Sequence, residues 1–159
     1  MTLRIRPAEA ADVPVIADLI RGLATFEKLE DQVSMTEERL AESLFGQHRY
    51  AETLLAEDDG TPVGFALFFH NFSTFLGLPG VYLEDLFVIP EHRGRGVGRA
   101  LLRELARLAV ERGCGRLEWS VLDWNRDAIG FYERLGARPN SEWTVYRLTG
   151  EALASLGRE

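Results

Sequence analysis

The sequence predicts an α/β fold, a mixed central β-sheet flanked by helices, in a single domain over residues 1–159. Three observations carry that expectation. A chain of 159 residues has the length of one domain. Apolar runs of strand character alternate with segments of helical period in the order β-α-α-β-β-β-α-β-α-β. One cluster of glycines stands between a strand and a helix, a junction that suits an anionic ligand.

Leu3 to Arg6 alternates apolar and basic side chains and reads as a strand that Pro7 stops. Asp12 brings a capping oxygen and Pro14 a fixed φ, and together they open a helix. Val15, Ile16, Leu19, Ile20 and Leu23 form its apolar side, and it runs into the acidic segment Phe26-Glu27-Lys28-Leu29-Glu30-Asp31. Thr36, with Glu38 and Arg39, starts a second helix that Gly46 ends after Phe45. Thr53 to Glu57 and Val63 to His70 read as strands, and the Asp-Gly step between them is a hairpin signal. Asn71 to Gly80 reads as a loop, and Val81 to Ile89 as a strand ended by Pro90. Leu101, Leu105 and Leu108 mark one face of a helix from Gly96 to Arg112. After Gly113-Cys114-Gly115 the pattern predicts a strand from Leu117 to Trp124, a helix from Asp127 to Leu135 and a last strand from Trp143 to Leu148. Glu151 to Leu156 reads as a terminal helical turn.

Composition narrows the function classes. Hydrophobic residues at 46% and charged residues at 27% are ordinary for a globular protein and argue against disorder. A net charge of -7 disfavours a protein whose main task is to grip nucleic acid or anionic lipid. The one cysteine, Cys114, excludes an internal disulfide and a multi-cysteine metal site, and the histidines His48, His70 and His92 have no metal-like spacing. The longest apolar run, Val63 to Phe69, is far short of the ~20 residues a membrane helix needs. No signal-peptide pattern opens the chain, so the expectation is a cytoplasmic protein with neither a membrane nor a nucleic-acid partner.

The most informative segment is Val88-Ile89-Pro90-Glu91-His92-Arg93-Gly94-Arg95-Gly96-Val97-Gly98-Arg99. Free backbone N–H groups and the positive end of a helix dipole favour an anion there. Glycines let the backbone approach a pyrophosphate, and Arg93 and Arg95 add charge. Two phosphate motifs fail to match. The P-loop needs a lysine after its second glycine, and the one lysine here, Lys28, is far away. The dinucleotide fingerprint needs a third glycine or alanine where this chain has Arg99. The pattern Arg93-x-x-Gly96-x-Gly98 instead resembles the pyrophosphate-binding motif of the GNAT superfamily of N-acetyltransferases. The resemblance covers nearly the whole chain. Ile5-Arg6-Pro7-Ala8, Val63-Gly64-Phe65-Ala66, Tyr82 to Val88, and Trp124-Asn125 followed by Phe131 to Ala137 are similar to the diamine and thialysine N-acetyltransferase branch. Val121 to Asn125 and Gly150-Glu151-Ala152 resemble the thialysine-type enzymes in particular.

That resemblance implies an enzyme that transfers an acetyl group from acetyl-CoA to a primary amine of a small cationic substrate: a diamine, a polyamine or a lysine-like amino acid. The lone Cys114 between two glycines and the unclustered histidines predict direct transfer without a metal, and the resemblance implies a homodimer. The cofactor residues it implies are Leu86, Phe87 and Val88 on a strand that splays from its neighbour. Arg93, Gly94, Arg95, Gly96, Val97, Gly98 and Arg99 follow in the turn, and Asn125, Asp127 and Tyr132 come later. The resemblance implies that Tyr132 protonates the departing thiolate, a transfer from a phenol of pKa about 10 to a thiol of about 8.5 that is only slightly uphill. Residue chemistry points to Glu84 and Asp85 as the candidates for receiving a proton from an amine of pKa about 10.4. They are adjacent on an apolar strand, so one alone faces a given pocket unless a bulge intervenes. By resemblance Glu84 acts through water, and either carboxylate binds a cation. Phe26, Glu27, Glu30 and Asp31 match the segment that lines the amine pocket in that branch. Phe75 and Leu76 stand where polyamine enzymes of the branch carry tryptophan, which counts against polyamines. The other classes left open are a CoA-binding sensor without turnover and a peptide acetyltransferase of the same fold.

Overall fold

The computed structural model describes residues 1–159. The chain divides into two compact units, Met1–Ser120 and Val121–Glu159. The first holds one five-stranded sheet in the order β1-β2-β3-β4-β5. Its strands are β1 (Leu3–Pro7), β2 (Glu52–Asp58), β3 (Thr61–Ser73), β4 (Leu78–Val88) and β5 (Leu117–Trp119). The first four pair antiparallel in sequence, and β5 joins β4 in parallel, so the sheet is mixed as the sequence predicts.

Helix α1 (Val13–Phe26) starts where Pro14 sits in its first turn and is tied to β1 by Arg6, which pairs with Asp12 at 2.8 Å and with Glu57 at 3.1 Å. Its residues Ile16, Ala17, Leu19 and Leu23 are buried against Leu55, Phe65 and Phe87 of the sheet. Gly22 permits that approach: a Cβ there would lie 3.0 Å from the Phe87 ring. Helix α2 (Glu37–Phe45) is capped by Thr36, whose hydroxyl oxygen accepts the Arg39 N–H, and buries Leu40 and Leu44. Helix α3 (Val97–Glu111) packs on β4 and buries Val97, Leu101, Leu102, Leu105 and Ala109. The second unit holds α4 (Arg126–Arg134) and α5 (Gly150–Gly157).

Five sequence expectations change. Asp12 makes no capping bond to α1, because its carboxylate accepts from Arg6 and from the Glu9 N–H instead. Asn71 to Gly80 is no loop: β3 runs on to Ser73, β4 begins at Leu78, and a short turn closes a long hairpin. β5 stops at Trp119 rather than Trp124, because its ladder to β4 ends at Leu83↔Trp119. Trp143 to Leu148 forms no strand, although it is rich in β-branched and aromatic residues. Its side chains stay exposed, Trp143 at 76% and Tyr146 at 92%, and no strand pairs with it. Strand-forming residues do not supply the ladder of hydrogen bonds that makes a strand. The last helix is longer than one turn and reaches Gly157.

Two features of β4 shape the site. Beyond Leu83 it has no neighbour on the β5 side, so Glu84 to Val88 keep an open backbone edge. Its pairing with β3 also slips: Leu67 faces Asp85 while the next residue, Phe68, faces Leu83. Glu84 is therefore the extra residue of a β-bulge, and the alternation changes phase across it. Leu83 shares the face of Phe68, whereas Asp85 joins Phe87 on the face of Phe65, the face that α1 covers.

Candidate active site

The turn between β4 and α3 has the geometry its sequence suggests. Gly94 and Gly96 sit at φ of +74° and +84°, a region side chains disfavour, and a Cβ on either would meet nothing within 4 Å. Gly96 is the N-cap of α3 and brings no side chain to it, so the first N–H groups of the helix keep no cap from it. Open space and uncapped N–H groups of this kind favour an anion. Arg95 and Arg99 are exposed beside it.

Arg93 is placed differently from the expectation of added charge at the phosphates. Its Nε donates to the Val88 carbonyl at 3.0 Å. Its guanidinium lies 4.2 Å from the centroid of Phe26 and 5.5 Å from that of Phe87. The arginine thus joins the β4–α3 turn to the end of α1. It closes one side of a groove of about 700 Å³ whose walls include Asp18, Gly22, Thr25, Phe26 and Phe87. Asp18, Gly22 and Thr25 were not readable as site residues. The one signal was a glycine inside a helical pattern.

The bulge sets the acidic end of the site. Glu84 is exposed, and Asp85 is half-buried on the α1 face. Burial first, and then the charges of Glu84 and Glu27, together push the Asp85 carboxyl up to about 6. Glu27, at the end of α1, is itself raised by burial. The structure therefore brings together Glu27, Glu84 and Asp85. Glu30 and Asp31 lie apart from them, exposed on a 3₁₀ turn, and are not among the charges acting on Asp85. Phe75 is 101% exposed at the tip of the β3–β4 hairpin and Leu76 is exposed beside it, so this segment does not narrow the groove.

Leu86, Phe87 and Val88 lie on the open-edged stretch of β4, as the splayed-strand expectation requires. In the second unit, Asn125 caps α4: its Oδ1 accepts the Ala128 N–H at 3.3 Å. Asp127 stands in the first turn of that helix. Tyr132 is half-buried on it, with its ring centroid 5.6 Å from that of Phe131. No group of three His, Cys, Asp or Glu side chains is placed to hold a metal ion. No helix is long and apolar enough to cross a membrane.

Comparison with known proteins identifies this architecture. The model of the acetyltransferase (GNAT) family matches residues 18–137. The chain belongs to the GNAT family. It is 39% identical to a thialysine N-epsilon-acetyltransferase of Bos taurus, over 96% of this chain and 95% of the relative. It is 34% identical to an L-ornithine N5-acetyltransferase of Arabidopsis thaliana, over 99% of this chain and 89% of the relative. Among solved structures, an integron cassette protein of V. cholerae superposes with a TM-score of 0.81 at 27% identity, covering 100% of this chain and 99% of the other. As a GNAT protein the chain is an N-acetyltransferase that acts on amines, and GNAT proteins use acetyl-CoA as cosubstrate.

Proposed function

We propose that this GNAT enzyme acetylates a primary amine of a small substrate that carries a second cationic group, in the manner of thialysine or ornithine. The observation that carries the reading is the cluster of Glu27, Glu84 and Asp85 beside the open edge of β4. Two charged carboxylates already repel a third there, and a cation relieves that repulsion. The names of the relatives, which act on thialysine and ornithine, support the same substrate class.

The turn from Arg93 to Arg99 fits acetyl-CoA, through its two left-handed glycines and its uncapped helix start. Acetyl-CoA, when bound, supplies the activated acyl group and a thiolate leaving group. Gly94, Gly96 and Gly98 admit the pyrophosphate to the backbone, with Val97 anchoring the turn in the core and Arg95 and Arg99 flanking it. The open edge of Leu86 to Val88 gives the pantetheine arm hydrogen-bonding partners and holds the acyl group in line. Asp85 and Glu27 hold the cationic substrate, along with Phe26. Exposed Glu84 takes the ammonium proton through water and releases it to solvent. Tyr132 gives its proton to the thiolate and regains one from solvent. Asn125 fixes the start of its helix. Transfer is direct and uses no metal. We further read the whole chain as one acetyltransferase domain working as a homodimer in the cytoplasm. The free thiol of Cys114 suits a reducing compartment.

A thiol-release assay with acetyl-CoA across thialysine, ornithine, lysine, diamines, polyamines and peptides tests the reading. Turnover is expected with the dibasic amino acids or diamines. Turnover with peptides alone would overturn it. For Tyr132→Phe we expect kcat to fall by about a hundredfold, the scale of general acid catalysis, with KM for the amine within twofold. An unchanged kcat would remove Tyr132 from the role of acid.

A further inference from the structure

The phosphate turn is built from residues that hold no shape by themselves. Gly94 and Gly96 are left-handed and carry no side chain to lock them, and glycine gives the unbound turn more conformations than any other residue. Its far end is fixed by α3, where Val97 is 1% exposed and the Ala100 N–H donates to the Gly96 carbonyl at 3.0 Å. Its near end follows a 3₁₀ turn, Pro90–His92, that packs no buried residue of its own. Arg93 ties that end to Val88 and Phe26, and His92 ties it to the β2–β3 hairpin. The Nε2 of His92 lies 3.0 Å from Asp58 Oδ2, and a carboxylate only accepts, so Nε2 carries the proton in this bond. The two side chains are largely buried, at 19% and 21% exposure.

Asp58 is in turn held from the other side. It is the last residue of β2, and its Oδ1 accepts the Thr2 N–H at 3.0 Å. The His92 bond, and then the Thr2 bond, hold its carboxyl below the usual carboxylate range. Nδ1 of His92 is buried without a protein partner. The ring therefore has one polar attachment, and it runs to the β2–β3 hairpin 34 residues away in sequence.

We propose that His92, through Asp58, is a positioning residue for acetyl-CoA: it pins the start of the phosphate turn, so that the N–H groups from Gly94 onward are arranged before the pyrophosphate arrives. A preformed turn lowers the conformational cost of binding without touching the ligand. The inference rests on assigning this turn to acetyl-CoA, and the binding of Gly96→Val, discussed below, tests that assignment separately.

The experiment measures CoA binding by calorimetry, which needs no turnover, together with hydrogen exchange of the turn amides in the unliganded protein. His92→Phe and Asp58→Ala are each expected to raise the Kd for CoA about tenfold and to speed exchange from Gly94 to Gly98. KM for acetyl-CoA should rise in parallel, with kcat and the amine KM within twofold. His92→Gln, which keeps a donor near the Nε2 position, should recover Kd to within threefold. The double variant His92→Phe/Asp58→Ala should bind no worse than either single one. Where His92→Phe does not fold, Asp58→Ala and His92→Gln carry the comparison. Unchanged CoA affinity in Asp58→Ala, additive losses in the double variant, or a fall in kcat without a change in Kd would each overturn the proposal. If Gly96→Val also leaves CoA binding intact, it is the assignment of the turn that fails.

Discussion

Gly96→Val should weaken CoA binding by about a hundredfold while leaving the sheet and α3 folded. Two effects add. At φ of +84° a β-branched side chain is strained, which costs about 1–2 kcal/mol when the backbone keeps that conformation. The added carbons also stand in the space that a pyrophosphate must cross. Nothing in the protein lies within 4 Å of the new Cβ, so protein packing does not oppose the substitution. Together about 2.7 kcal/mol corresponds to two decades in Kd. Gly98→Ala is the control. Its Cβ would lie 3.9 Å from the Val88 side chain, an ordinary contact, and its φ is not in the left-handed region. Any loss there reports ligand approach alone. Calorimetry with CoA gives the Kd, and far-UV circular dichroism checks the fold. A Kd within threefold of the parent protein for Gly96→Val would remove this turn from the cofactor site.

How much of this was legible in the sequence depends on what each residue needed. The glycine turn before α3 was legible because glycine spacing and a following helix are local properties, and local geometry fixes where the N–H groups point. The open edge of β4 followed only from family resemblance. Its physical cause is the early end of β5, and nothing in Leu117 to Trp124 marks Trp119 as the last paired residue. The bulge at Glu84 was a stated condition rather than a reading. Residue order shows two adjacent carboxylates, but only the register against Leu67 and Phe68 decides which one turns toward α1. Arg93 shows the limit most plainly. Its charge suggested a phosphate ligand, yet its guanidinium rests on Phe26, 67 positions earlier in the chain, because helix and strand bring that ring under it. The Trp143 to Leu148 segment fails for the opposite reason. Its pattern is strand-like, but pairing is a property of two segments, and no second one is there.

Asp85→Asn should lower kcat/KM for a dicationic amine by about thirty- to a hundredfold, the loss of one charge-assisted contact in a desolvated site, and yet make the protein more stable at pH 8. Activity follows the Asp85 pKa of about 6. Below pH 6 Asp85 is protonated and holds no cation, so the parent enzyme should gain kcat/KM for the dication as pH rises through 6. The variant should lack that inflection. A monoamine of equal length has no second charge to lose, and the substitution should change its kcat/KM by less than threefold. Stability responds in the opposite direction. The folded pKa lies above the ordinary value of 3.8, so the folded state holds the proton more tightly than the unfolded chain. The stability this gives is complete below about pH 3.8 and is lost as pH rises through 6, where a charge must be buried beside Glu84 and Glu27. The shift from 3.8 to about 6 is an upper bound of roughly 3 kcal/mol. Asparagine carries no charge and escapes this loss. Urea unfolding of both proteins at pH 4 and pH 8 should therefore show equal stability at the lower pH and a more stable variant at the higher. A variant that is inactive and also less stable at pH 8 would mean that Asp85 holds the fold together, and the binding of the second cation would then have to be assigned elsewhere.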